Sequence, residues 1–459
     1  VLTVAFRTSN WSTAFGIHLL AFFFAALMCH QLLAARRPAP DRLTEFYLLM
    51  SLGGVVGGAF TALLAPVIFN MVWEYPLVLV LVGLARPWGR GPLTGTQTGV
   101  LVAAAIVAAT PVLLSLYLNG NDGARTVFYA TSPFTMAQLA MIILLPAAIC
   151  AFLVRDRALA FTGILLMMTL SSQWIGRGYD WSYSGRSFFG VMRVANVPDP
   201  HLGGDVHVMM HGTTLHGAQA RDPRFDCVPT LYYAAATPIG QAAEVVQARG
   251  PARIGVVGQG SGAMAAYKRG EDRMTFFEID PMVDRLSRDP RWFTYISDCA
   301  VGPIDTVMGD ARLTLARQQP GAYDLLIIDA FSSDAVPTHL LTQEAIAGYL
   351  ALLKPNGVVL LHLSNRNLDI TLPAIAAARG LGKAHLHQIY YESDATPDMA
   401  EASTEALVLS PTPEGLADFR ADPRWKAVGG TAVRPWTDDY VNLFGALQRS
   451  MFPPAERPL

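Results

Sequence analysis

This sequence has little charge. Lys and Arg number 34 and Asp and Glu 36 among 459 residues, so charged residues make up 15% of the chain and the formal net charge is −2. No basic excess marks a nucleic-acid partner, and none is expected. Cysteine is scarcer still. Cys29, Cys150, Cys227 and Cys299 are scattered, with no CxxC pair and no histidines at ligand spacing. That pattern excludes a zinc ribbon, no metal is expected, and the four are read as reduced, structural thiols. No signal peptide precedes the first apolar run. Val1 stands where Met would, read as a trimmed or processed product whose upstream helices are missing. Long apolar runs are absent beyond about residue 175.

Before that point they dominate. Hydrophobic residues reach 52% of the chain and the mean hydropathy is +0.32, too apolar for a soluble enzyme and too mixed for a bare membrane bundle. The length calls for two or more domains. Residues 13–35, 43–69, 96–118 and 134–154 are each long enough to cross a hydrocarbon core of about 30 Å; 75–85 and 158–170 are shorter. "GGVVGG" at 53–58 offers a small-residue face for close helix packing or a flexible weak point. The arginines at 35–42, 85–90 and 155–157 are expected to face the cytoplasm. If 158–170 also crosses, everything after it lies outside; reading this short run as a half-helix or interfacial segment instead leaves the C-terminal part cytoplasmic, anchored to an inner-membrane bilayer.

The texture then changes. Residues 185–219 carry β-rich runs broken by Pro, Asp and Gly-Gly, a small antiparallel subdomain. From Arg253 short apolar strands alternate with helical patterns: RIGVVG, MTFFEID, PIDTVMGD, YDLLIIDA, GVVLLHLS, HLHQIYY and ALVLS. Alternation of this kind predicts a parallel sheet with helices on both faces. The expected architecture is α + α/β: a transmembrane helix bundle over 1–175, a β subdomain over 176–250 and a Rossmann-like domain over 251–459.

Ligands of such sheets bind at the carboxyl ends of the strands. The first strand there ends in "GQGSGA" (Gly258, Gly260, Ser261, Gly262), where glycines let the backbone turn tightly against a ligand. Twenty residues on, Glu278 ends the second strand, where a carboxylate grips ribose hydroxyls. Asp310 follows the third strand and Asp329 the fourth. Three acids at successive strand tips point to a site.

The ordered set MHGTTLHGAQ, PTLYY, GQGSGA, FFEIDP, GDAR, DAFSSDAVP and PWTDDYVNL resembles the spermidine synthase (polyamine aminopropyltransferase) family, in particular bacterial members fused to a membrane domain, over about residues 185–445. The resemblance implies that S-adenosylmethionine or its decarboxylated form sits over the glycine loop as substrate. It implies Glu278 on the ribose, Asp310 on the adenine edge, Asp329 as the acid receiving a proton from the attacking amine, and Asp334 on the far amine. Tyr232 matches the polyamine-pocket tyrosine, and His216 or Gln219 the position that contacts the sulfonium. A homo-oligomer is the analogy from soluble relatives.

The chemistry suits those residues. An amine with a reference pKa of about 10 is protonated at neutral pH and cannot attack; a carboxylate beside it accepts the proton. Attack on carbon next to S⁺ then needs alignment above all. Ser261 stands where soluble members carry an Asp in GGGDGG, which makes intact S-adenosylmethionine credible. A lyase reaction giving methylthioadenosine and homoserine lactone is therefore the rival to aminopropyl transfer. A methyltransferase, a non-catalytic nucleoside-binding sensor or transporter, and a nicotinamide oxidoreductase are weaker readings.

Overall fold

Two units divide the chain, Val1–Asp180 and Trp181–Leu459. The computed structural model describes residues 11–86, 88–89, 91–175, 181–212, 214–331, 337–393 and 399–452.

Among the described residues of the first unit, five helices are long and apolar enough to cross a membrane: Phe15–Ala35, Pro40–Ile68, Gly95–Asn119, Met136–Leu153 and Ala158–Ile175. Glu74–Ala85 is a shorter apolar helix. Thr94 with Gln97, and Thr135 with Gln138, form reciprocal capping boxes that start two of the spans. Ala104, Ala108, Leu144, Ala147, Ala151, Ile164 and Met168 build the core of this unit, small residues permitting close backbone approach. The run read as a half-helix is instead an 18-residue helix, Ala158–Ile175; Ser171, Ser172 and Gln173 interrupt its apolar character without breaking its hydrogen bonding. Gly53, Gly54, Gly57 and Gly58 have no heavy atom within 4 Å of where a Cβ would stand, so this glycine face meets no described neighbour.

The ends of this unit can be ordered by its own hydrogen bonds. His18, in the first half of the first span, bonds the Tyr75 hydroxyl at 2.8 Å. The helix beginning at Glu74 therefore starts near the N-terminal end of that span. At its far end Arg86 donates to the Arg155 carbonyl at 2.8 Å, and Arg157 donates to the Gly91 carbonyl at 2.8 Å. The arginine-bearing connections at 86–91 and 155–157 thus share one end.

The second unit holds two sheets. Strands β1 (Trp181–Ser187), β2 (Gly190–Asp199), β3 (Gly204–His211) and β4 (Thr214–Ala220) form an antiparallel meander. A seven-stranded sheet follows, from β5 (Arg253–Val257), β6 (Arg273–Glu278), β7 (Asp305–Met308), β8 (Tyr323–Ile328), β9 (Leu353–His362), β10 (Ala384–Tyr390) and β11 (Thr404–Ser410). Its order is β10-β11-β9-β8-β5-β6-β7. Strands β5–β9 run parallel to one another. Only β11 is antiparallel, wedged between β9 and β10. This is a Rossmann-like sheet, and the order reverses at β5, which lies between β6 and β8.

The central strands are apolar throughout because helices cover both faces. Ile254, Val256, Leu325 and Ile327 are fully buried in one core, and Tyr323, Leu326, Val359 and Leu361 in the other. One expectation fails here. Cys227 and Cys299 are not free thiols but a disulfide, with Cα atoms 5.3 Å apart, closing a loop of 72 residues' separation; Cys29 and Cys150 are free.

Candidate active site

The carboxyl ends of the parallel strands converge on a cavity of about 270 Å³ lined in part by Gly258, Gly260, Glu278, Asp280, Asp310 and Asp329. Each strand places one of these groups at its tip. Gly258 follows β5, Glu278 ends β6, Asp310 stands two residues past β7, and Asp329 follows β8.

Gly258 adopts a φ of 90° and Gly260 one of 52°, conformations that L side chains rarely reach. A Cβ on Gly258 would also strike the Asp329 carbonyl, and one on Gly260 would stand 2.7 Å from the His216 carbonyl. Glycine is thus required twice, once against the next strand's tip and once against β4.

Glu278 is buried, with Oε2 accepting the Gln259 N–H at 2.9 Å and Oε1 accepting those of Ile279 and Asp280 at 2.8 and 2.9 Å. Burial pushes its carboxyl above the ordinary value, against the opposite pull of these three N–H groups. Asp310 caps the short helix Ala311–Leu315 through the N–H of Arg312 at 2.8 Å. His339 Nε2 lies 3.3 Å from its other oxygen.

Asp329 is 7% exposed and engaged on both oxygens. Tyr233 donates its hydroxyl to Oδ2, and His362 Nδ1 lies 2.5 Å from Oδ1. His362 ends β9, and the pairing of Ile328 with Leu361 sets the two tips side by side. The Tyr232 ring lies 4.5 Å from that of Tyr233 and 4.9 Å from that of His362, centroid to centroid. Burial, then the Asp329 charge, hold both tyrosine hydroxyls well above their ordinary value, so both stay neutral donors.

A second cavity, of about 550 Å³, adjoins the first, and His216, Tyr232, Asp329 and Phe331 line both. Its other walls include His362, Ser364, Asn365, Arg366, Tyr390 and Glu405.

Gly258, Gly260, Glu278, Asp310, Asp329, His216 and Tyr232, all expected from the sequence, therefore meet around these cavities. Three others do not. Gln219 is buried away from both, spending its amide on the Asp226 carbonyl at 2.7 Å and on Thr294 at 2.7 and 2.9 Å. Ser261 is fully buried behind the glycine loop, its Oγ so close to Gly217 that a Cβ there would collide with it; it lines neither cavity. Gly262 has a φ of 85° and turns the loop without reaching the cavity wall. Asp334 falls outside the described residues. Tyr233 adjoins the expected Tyr232 and was not singled out. His362 opens HLSNRN (362–367), whose polar residues at the end of the fifth strand read from sequence either as pocket lining or as an ordinary loop; His362, Ser364, Asn365 and Arg366 line the second cavity. Among the described residues no group of three or more His, Cys, Asp or Glu side chains is placed to hold a metal ion.

With this geometry in hand, the chain was compared with known proteins. Over 114 residues it is 32% identical to the polyamine aminopropyltransferase of Vibrio vulnificus (strain CMCP6), covering 24% of this chain and 36% of the relative. Over 127 residues it is 32% identical to an N-terminal histidine N-methyltransferase of Emericella nidulans, covering 26% of this chain and 21% of the relative. The chain thus spans about a third and a fifth of these two curated relatives. No family model matches it. Among solved structures, a probable spermidine synthase from Corynebacterium glutamicum aligns at 18% identity and a TM-score of 0.34, over 51% of this chain and 79% of that one. The spermidine synthase from Thermotoga maritima aligns at 14% identity and a TM-score of 0.37, over 58% and 84%.

Proposed function

We propose that the Trp181–Leu459 unit is a membrane-anchored transferase. It binds decarboxylated S-adenosylmethionine in the first cavity, passes the aminopropyl group to an amine in the second, and releases methylthioadenosine. The observation that carries this reading is the meeting of two cavities at Asp329. A reaction on a single substrate needs one pocket; group transfer needs two that open on the same atom.

Charge favours the decarboxylated substrate. Among the described residues, the first cavity is lined by the acids Glu278, Asp280, Asp310 and Asp329, and by no lysine or arginine. A ligand carrying sulfonium and ammonium charges suits such a wall, whereas the carboxylate of intact S-adenosylmethionine would meet no fixed cation there. Since Ser261 does not face the cavity, it supplies no reason for a change of substrate.

In this reading Glu278 takes the ribose hydroxyls and Asp310 the adenine edge. Tyr232 and Phe331 separate the two substrates at the junction. Alignment of amine, carbon and sulfur supplies most of the acceleration, because the sulfonium is already a good leaving group. Calorimetric titration with decarboxylated S-adenosylmethionine, S-adenosylmethionine and NADH tests it. The decarboxylated sulfonium should bind tightest; tighter binding of NADH would remove the proposal.

We also infer the membrane side, in place of the cytoplasmic one expected from the sequence. When the short helix Glu74–Ala85 is counted as a crossing beside the five longer ones, this reading sets the arginines at 36–42, 86 and 155–157 at one end of the first unit and Ile175 at the other, in keeping with the His18–Tyr75 and Arg86–Arg155 bonds. The positive-inside rule then sends everything beyond Ile175 to the non-cytoplasmic side. The Cys227–Cys299 disulfide supports the same side independently, since such bonds persist in oxidising compartments. A substrate for this unit must accordingly reach that side of the membrane.

A further inference from the structure

The transfer reading leaves one buried group without a task. His362 is 6% exposed and its Nε2 has no hydrogen-bond partner. A buried ring nitrogen left bare costs free energy that a purely structural histidine would recover by bonding to a neighbour. The other nitrogen is committed: Asp329 Oδ1 lies 2.5 Å from Nδ1, and a carboxylate can only accept, so Nδ1 carries the proton. In that tautomer Nε2 holds the lone pair.

We propose that His362, held by Asp329, is the catalytic base for an amine bound in the second cavity. The inference rests on the transferase reading above and changes the role of Asp329 within it. With Tyr233 donating to Oδ2 and His362 to Oδ1, Asp329 is already bonded by protein on both oxygens. It serves better as the partner of a developing imidazolium than as the first proton acceptor. His362 lines only the second cavity, whereas Asp329 lines both. The base thus lies on the acceptor side and its counter-ion at the junction.

The step balances. The bound primary ammonium first gives one proton to His362 Nε2, and the freed nitrogen lone pair attacks the carbon bonded to S⁺ in the first cavity. A C–N bond forms, the C–S bond breaks, and its electron pair passes to sulfur, leaving a neutral thioether. The imidazolium is balanced by the Asp329 carboxylate, and the product leaves as a secondary ammonium. Groups packed around the ring could not replace it. Tyr232 and Tyr233 are held neutral, Phe331 is apolar, and Glu405, across the cavity, is bonded by His387 at 2.9 Å.

The experiment uses the full-length protein and follows methylthioadenosine release from decarboxylated S-adenosylmethionine with putrescine as the probe amine. In His362→Asn the amide can still donate to Asp329 but the Nε2 lone pair is gone; His362→Gln is the second variant, and methylthioadenosine affinity reports folding in both. The proposal expects kcat to fall about 10²- to 10⁴-fold with affinity unchanged. It also expects the unmutated protein to show an acid limb in kcat that the variants lose. Variants within a few-fold of the parent kcat, or an unmutated kcat that stays flat until the fold is lost, would overturn the base and leave the transferase reading standing. No methylthioadenosine from the unmutated protein would overturn both.

Discussion

Gly258 turns directly beneath the carbonyl of Asp329, at a φ of 90° and without room for a Cβ. The glycine loop and the acid at the cavity junction are therefore fixed to each other through backbone, not through a side chain that could repack. Gly258→Ala should lower the stability of the second unit by at least roughly 2 kcal/mol, from strain and overpacking together. It should also abolish methylthioadenosine binding, measured by titration at a temperature where the variant is folded. A variant that binds normally would show that the loop and the acid move independently.

Glu278 carries a pH prediction. Burial raises its carboxyl above the ordinary value, so it takes up a proton at a higher pH than an exposed glutamate. Nucleoside binding that uses the carboxylate should weaken as pH falls through that raised value. The stability effect has the opposite sense: it is present below the unfolded-chain value and is lost as pH rises through the folded one. Glu278→Gln should weaken binding roughly 10- to 100-fold and remove the pH dependence. Binding that keeps its pH dependence in the variant would assign the titration to another group.

Asp272 is a structural counterpart far from the cavity. Burial pushes its carboxyl up, but the Arg269 guanidinium and the N–H groups of Ala252, Arg269 and Gln247 outweigh this and hold it down to about 2. The stability it confers is complete above its unfolded value of 3.8 and is lost as pH falls toward about 2. Asp272→Ala leaves those donors unpaired and should cost on the order of 2 kcal/mol. Acid titrations of the two proteins followed by circular dichroism should converge at low pH; curves that stay parallel would contradict the assignment.

The parallel sheet was legible because its strands are covered on both faces and so read as unbroken apolar runs, from Ile254 to Leu361. Glu278, Asp310 and Asp329 were legible for the same reason, since an acid ending such a run is conspicuous. Gln219 was not: nothing in its spacing reveals that Thr294 and Asp226 would consume its amide. Ser261 misled because its place in the loop says nothing of which way the side chain faces. Tyr233 could not be separated from Tyr232 by pattern, as adjacent tyrosines on a tight turn differ only in direction. The disulfide was hidden by the 72-residue separation of its cysteines, since pairing is a tertiary fact.

That disulfide gives the membrane-side prediction. Cys227→Ser should destabilise the second unit by roughly 2–4 kcal/mol, the usual consequence of opening a long covalent loop. In intact cells Cys227 and Cys299 of the unmutated protein should resist alkylation until a reductant is added. Rapid alkylation without reductant would place the unit in a reducing compartment and contradict the assigned side.

The most direct measurement is product identification by mass spectrometry. The purified full-length protein is incubated with S-adenosylmethionine alone, and in parallel with decarboxylated S-adenosylmethionine and putrescine. The account predicts methylthioadenosine and spermidine in the second reaction and no methylthioadenosine in the first. Methylthioadenosine with homoserine lactone from S-adenosylmethionine alone would contradict it, making the chain a lyase.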